Sequence, residues 1–334
     1  MKKFFSGLKY FLLALAVVIA AVLAYFYFSF HPTKNPEWGI SFSRSHAEYL
    51  GYDWKVMYLD ILNDLKPKKL RLMAYWRTME TEKDLWYFQD VDEMLVEADK
   101  RNIDVTLAVG KKLPRWPECH QPAWVNSLSP EEQKARQLHM VEMAVSHFKQ
   151  FNSIKAWQIE NEALFNFGPE CPVIDKETFR QEIEIVRRLD SRPIILTDSG
   201  ELGRWVPTAR FGPDIFGSTM YRVIYHKKIG YFRYPLPPAF FRIKAGIAKF
   251  YTGVDRFTGV ELQAEPWFNT DVQLTDIETQ RGLMNPVIFK QNVDYARRVG
   301  LEDNYFWGVE WWYWMAHNQN DWGMWDAARQ VLSQ

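Results

Sequence analysis

Between residues 37 and 334 the chain alternates short apolar runs with longer amphipathic stretches, and it does so eight times. The apolar runs are 38–43, 70–76, 104–110, 155–160, 193–198, 214–220, 259–264 and 305–312. Most lack a clean period of two, as expected of strands buried on both faces in a parallel sheet. The intervening stretches have helix signals. Ser129-Pro130-Glu131-Glu132 reads as a capping box with Pro in the first turn. It opens a helix whose Leu138, Val141, Val145 and Phe148 share a face. Asp175 reads as the N-cap of the next helix, carrying Phe179, Ile183, Val186 and Leu189. Eight βα units of this length predict an α/β fold, a (β/α)8 barrel. A doubly wound open sheet is the alternative, but no Gly-rich phosphate loop follows the first run.

Residues 1–30 are of another kind. Lys2, Lys3 and Lys9 precede Phe11 to Phe30, twenty residues without a charge. A helix of that length spans a hydrocarbon core of about 30 Å. The apolar stretch continues past Ala24 through Tyr25-Phe26-Tyr27-Phe28, an aromatic group suited to a membrane interface. We therefore expect a single transmembrane signal-anchor, with a cleaved secretory signal as the alternative. The lysines put the N-terminus in the cytoplasm and the rest outside. Residues 31–36 read as a linker and 37–334 as the barrel domain. Export permits a disulfide, and Cys119 and Cys171 follow consecutive strands in Pro-Glu-Cys sequences, so they are expected to pair. Zinc-ligand spacing is absent around them, and no metal or cofactor is expected.

Lysine plus arginine and aspartate plus glutamate balance at 41 each, which argues against a dedicated nucleic-acid binder. One segment departs from that balance. Residues 222–256 carry eight lysines and arginines against one acid, Asp255, interleaved with aromatic side chains. It reads as an ordinary solvated loop and helix, as a surface resting on an anionic membrane, or as a contact for an acidic polysaccharide.

The chemistry is expected where parallel strands end. Trp157-Gln158-Ile159-Glu160-Asn161-Glu162 ends the fourth strand in a carboxylate, and 259–267 (GVELQAEPW) ends the seventh in Glu265. A carboxyl acid paired with a carboxylate is what glycoside hydrolysis needs. Glu160 and Glu261, two and four residues earlier, read as inward polar layers or exposed strand ends. Glu310, in the eighth run, is a third acid near the mouth.

With these positions the chain resembles the clan of retaining (β/α)8 glycoside hydrolases that includes family-five cellulases and mannanases and the barrel β-galactosidases. The Asn161-Glu162 pair matches the clan's strand-four Asn-Glu; Trp157 to Glu162 is closest to β-galactosidase-like members, and Gln263 to Trp267 to the cellulase-like branch. The resemblance implies Glu162 as acid/base, Glu265 as nucleophile, and Asn161 on the hydroxyl beside the reacting carbon. It implies that Arg71 on strand two holds the nucleophile ionised, and Tyr221 at the end of strand six is expected to donate to Glu265. Strand eight is expected to place a Trp, here Trp311, under the cleaved sugar. Trp116, Trp124 and Trp267 are candidate stacking platforms, and His120 is a candidate sugar contact. The implied function is double-displacement hydrolysis of a β-linked oligo- or polysaccharide. A catalytically silent carbohydrate-binding barrel and an envelope transglycosylase are the alternatives.

Overall fold

The computed structural model describes residues 2–166, 171–268 and 270–334, with side chains from residue 8 onward. Eight parallel strands close into a barrel: β1 (Glu37–Phe42), β2 (Lys69–Tyr75), β3 (Asp104–Gly110), β4 (Ile154–Ile159), β5 (Ile194–Asp198), β6 (Ile215–Met220), β7 (Phe257–Gln263) and β8 (Asp303–Trp307). Each pairs with its sequence neighbours, and β8 closes on β1. The strands are buried on both faces because helices cover the outside and inward side chains fill the interior. Ala156, Ile195, Ile215 and Val260 form one small apolar cluster apart from the main core.

Local signals are realised as read. Ser129 and Glu132 cap Pro130–Phe148 reciprocally, and the Asp175 carboxylate accepts from Thr178 N to open Lys176–Leu189. Cys119 and Cys171 are bonded, with their Cα atoms 5.2 Å apart; Pro169 and Glu170 lie outside the described residues.

Two departures from the sequence reading matter for function. The eighth strand stops at Trp307 instead of running to 312. Gly308 turns the chain with φ of 130°, its missing side chain leaving room for Glu265, and Val309–Asn318 is helix. In addition, β7 holds one residue more than its neighbours need. Ser218 and Thr219 oppose Gly259 and Glu261, while Asn304 and Phe306 oppose Gly259 and Leu262. Both registers slip at the same place, which defines a bulge at Val260–Glu261.

The N-terminal helix, Lys2–Ser29, includes one stretch, Leu8–Ser29, long and apolar enough to cross a membrane, a test that a signal sequence also passes. Its last turns dock on the helix Pro238–Thr252 that follows β6. Arg242 donates to Tyr27 Oη at 2.7 Å, and Phe250 packs edge-on against Tyr25 and Phe26. Phe30 meets Phe257, the first residue of β7, and Thr33 N donates to Gly300 O just before β8. The helix therefore joins the barrel at the N-terminal ends of the strands, opposite the mouth, and runs on away from it.

Close approach of the two helices depends on Gly246, where an added Cβ would lie 1.9 Å from Phe26 O. Gly246→Leu should separate them. Limited proteolysis within residues 28–36 should then accelerate severalfold, while the Tm of the barrel moves by no more than roughly 2–4 °C.

Candidate active site

Arg71 organises the centre of the barrel. It enters from β2, is fully buried, and directs its guanidinium at β4 and β7. Nε donates to Gln158 Oε1 at 2.7 Å and Nη2 to Asn161 Oδ1 at 3.0 Å. Nη1 donates to Glu261 Oε1 at 2.9 Å and to Val260 O at 3.1 Å. A buried guanidinium needs a carboxylate partner, and the sequence reading expected Glu265. The structure supplies Glu261. Tyr221 likewise donates its phenol to Glu261 Oε2, at 2.9 Å, and not to Glu265. The cause is the extra residue in β7. It aims Glu261 at the barrel axis and leaves Glu265 beyond the strand end, a re-aiming that bulges near functional sites commonly perform.

Glu162, three residues past the end of β4, faces this group. Its Oε1 lies 3.4 Å from Thr219 Oγ1, and Thr219 is the register partner of Glu261. Burial drives the Glu162 pKa well above the usual carboxylate range, and the negative charge of Glu261 adds to the effect. The backbone that carries Glu162 is strained. Glu160 and Glu162 both adopt left-handed conformations, φ 57° and 49°, on either side of Asn161. Non-glycine residues of this kind cost on the order of 1–3 kcal/mol each, so the surroundings must enforce them. Glu160 N donates to Val109 O, Asn161 N to Lys112 O at 2.6 Å, and Glu162 N to Thr197 Oγ1 at 2.8 Å. The fully buried Lys112 ammonium donates to Glu162 O and Phe165 O.

A second charged group sits at the mouth. Arg115, in the loop after β3, grips Glu265 with both terminal nitrogens and donates to Glu310 Oε2 at 2.7 Å. Its guanidinium lies 4.1 Å from the ring centre of Trp307, the last residue of β8. Arg115 was absent from the sequence reading, and a lone loop arginine offers little signal. Glu118 of the same loop is raised to about 7, chiefly by burial, with the Lys112 charge opposing and the Glu261 charge adding.

The predicted aromatic residues separate. Trp267 meets Tyr221 edge-on at 5.3 Å, and Trp116 is exposed beside Arg115. Trp311 lies in the post-strand helix, fully buried, with its indole donating to Gln280, so it faces no cleft. Trp124 packs against Trp76 and donates to Glu80 O. His120 is an internal brace: it is buried against Tyr75, with Nε2 near Leu113 O and Arg115 O. Burial holds it neutral, with a pKa lowered to about 3. Among the described residues no His, Cys, Asp and Glu group suits a metal ion.

No family model matches the chain, and no curated protein matches it. Solved structures do. A GH5_18 enzyme from Streptomyces cattleya, determined with GlcNAc, aligns at TM-score 0.54 and 11% identity, over 83% of this chain and 71% of that one. A β-galactosidase from Bacillus circulans sp. alkalophilus aligns at 0.60 and 11%, over 90% of this chain and 56% of that one. A family-10 endo-β-1,4-xylanase from Gloeophyllum trabeum aligns at 0.56 and 14%, over 90% and 96%. At these identities the likeness shows a shared fold, the TIM barrel.

Behind Asn161-Glu162 lies a supporting layer. The Glu160 carboxylate accepts from the Lys111 and Lys112 amides at 2.8 and 2.5 Å, and Gln137 Nε2 bridges it to Glu182. Burial raises both carboxyls, Glu182 well above its ordinary value, where the Glu160 charge reinforces it. A carboxyl whose folded pKa is raised binds more protons folded than unfolded. Stability therefore falls as pH rises above the unfolded pKa of about 4.3. Glu182→Gln keeps a donor without ionising. It should flatten this decline, giving a Tm roughly 2–4 °C above wild type at pH 8 and little change at pH 4.5, read by thermal melts across pH.

Proposed function

We propose that the chain is a retaining β-glycosidase acting by double displacement, with Glu162 as acid/base and Glu261, instead of Glu265, as nucleophile. The observation that carries this reading is the Arg71–Glu261–Tyr221 group opposite Glu162. One carboxylate accepts from a guanidinium and a phenol. The other is driven toward its protonated form by burial and by the first. Two carboxyls with opposed ionisation are what retention requires. Glu261 attacks the anomeric carbon as Glu162 protonates the departing oxygen, giving a covalent glycosyl-enzyme. Glu162, now a carboxylate, takes a proton from the water that releases the sugar. Asn161, its Oδ1 held by Arg71, offers its NH2 to the hydroxyl beside the reacting carbon. Trp267 and Trp116 serve as stacking surfaces. Glu265 holds Arg115 over Trp307 and so shapes the cleft wall.

Residues 37–334 form the catalytic unit in this reading and residues 31–36 its linker. Residues 1–30 are a single-pass anchor with the N-terminus cytoplasmic and the barrel outside. The substrate is a β-linked carbohydrate.

Hydrolysis of aryl β-glycosides by the full-length protein tests the assignment. Glu261→Ala should abolish turnover, and Glu162→Gln should reduce it on the order of 10²- to 10⁴-fold for substrates with poor leaving groups. Glu265→Ala should retain the chemical step and alter KM more than kcat. A 2-fluoro glycoside should label Glu261. Because 257–281 is one tryptic peptide holding both glutamates, fragment sequencing is needed to place the label. Label on Glu265, or an active Glu261→Ala, overturns the assignment; absence of turnover on every β-glycoside favours a silent binding barrel.

A further inference from the structure

The basic segment 222–256 divides between the two ends of the barrel. Its helix, Pro238–Thr252, descends beside the N-terminal helix, and Phe250 packs on Tyr25 and Phe26 at the end away from the mouth. Its first part is a hairpin, Val223–His226 paired with Gly230–Arg233, which rises from the C-terminal end of β6 at the mouth. The hairpin is fixed to the proposed catalytic strand. Gln263, two residues beyond Glu261, accepts from Arg222 N and Val223 N at 2.8 and 2.9 Å and donates to Val223 O at 2.7 Å.

The hairpin's charge is one-sided. No Asp or Glu occurs between Asp214 and Asp255. Lys227 and Lys228 at the tip and Arg233 at the base are exposed. Arg222 is half-buried, its guanidinium over the Tyr295 ring at 3.9 Å. Among the described residues none of these four cations is within ion-pair distance of a carboxylate. Tyr225 and Tyr231 pair across the hairpin, edge-on at 5.3 Å, on the same face as Arg233. Unpaired cations beside aromatic surface, at the rim of a carbohydrate cleft, suit a sugar bearing a negative charge.

We propose that the hairpin Val223–Arg233 is a binding subsite for an anionic glycan, recognising carboxylate, sulfate or phosphate groups on residues next to the bond being cut. This rests on the glycosidase reading above, whose substrate class it narrows. A membrane surface is disfavoured as the partner, because the hairpin stands at the end of the barrel opposite the N-terminal helix.

Binding is measurable apart from turnover, using the full-length Glu162→Gln protein in zwitterionic detergent. Alginate supplies carboxylates, dextran sulfate supplies sulfates, and dextran is the neutral control. At least one anionic polymer should bind about tenfold or more tightly than dextran at low salt, with the preference shrinking as salt rises. The stronger of the two identifies the recognised group. Lys227→Ser/Lys228→Ser/Arg233→Ser should remove the preference while its thermal melt stays unchanged. In a background with Glu162 intact, that triple variant should leave hydrolysis of a small neutral aryl glycoside unaltered. Lys249→Gln, at the opposite end, should change nothing. Equal binding of charged and neutral polymers, retention of the preference in the triple variant, or an equal loss in Lys249→Gln overturns the proposal. Hairpin-dependent binding to phosphatidylglycerol vesicles without binding to any polymer also overturns it. A protein that binds alginate but hydrolyses nothing would retain the subsite and refute the glycosidase reading.

Discussion

A guanidinium sealed inside a barrel cannot be left unsatisfied, and Arg71 makes the rest of the site answer to it. Its donors reach Gln158 and Asn161 on one side of the barrel and Glu261 on the other. The desolvation of such a charge is repaid only by well-placed partners. The same contacts fix β4 and β7 relative to one another and commit Asn161 Oδ1, which settles the orientation of its amide. Across from that pair, burial and the Glu261 charge push Glu162 toward its neutral form.

Around that ion pair, the regular geometry of two strands gives way. The Glu160-Asn161-Glu162 backbone alternates into left-handed conformations and β7 takes an extra residue. Neither distortion persists unaided. Lys112 and the Glu160–Gln137–Glu182 layer hold the first. The second is held where Arg71 Nη1 reaches Val260 O. The strain is local, and the surrounding barrel remains regular enough to over-determine it.

How much of this was legible in sequence follows from the range of each signal. Strand and helix identity are set by local patterning, so the eight βα units and the caps at Ser129 and Asp175 were readable. The Cys119–Cys171 bond followed from loop adjacency, which the barrel itself implies. The placing of Asn161 and Glu162 at the mouth was readable because they follow directly on the end of β4. Glu261 was read as an inward polar layer or an exposed strand end because its contact with Arg71 depends on a bulge between β6 and β8, invisible to any period-two count. Trp311 and Glu310 were misplaced for a related reason: one glycine, Gly308, ends β8 five residues early. His120 shows the limit of residue type as a guide, since a loop position said nothing of its burial against Tyr75.

The bulge in β7 also bears on how this chain can be compared and altered. With two residues standing where its neighbours have one, the strand carries a built-in frame offset. Substitutions at Val260 leave that offset intact, whereas deletion of a single codon there would restore an even ladder and rotate Glu261 away from Arg71. Residues before and after the bulge belong to different phases of the same strand. An alignment drawn without a gap through this strand, against a barrel whose seventh strand is even, would superpose Glu261 on a position facing the wrong way. The length of β7, more than the identity of its side chains, is therefore the inherited quantity that keeps the carboxylate in place.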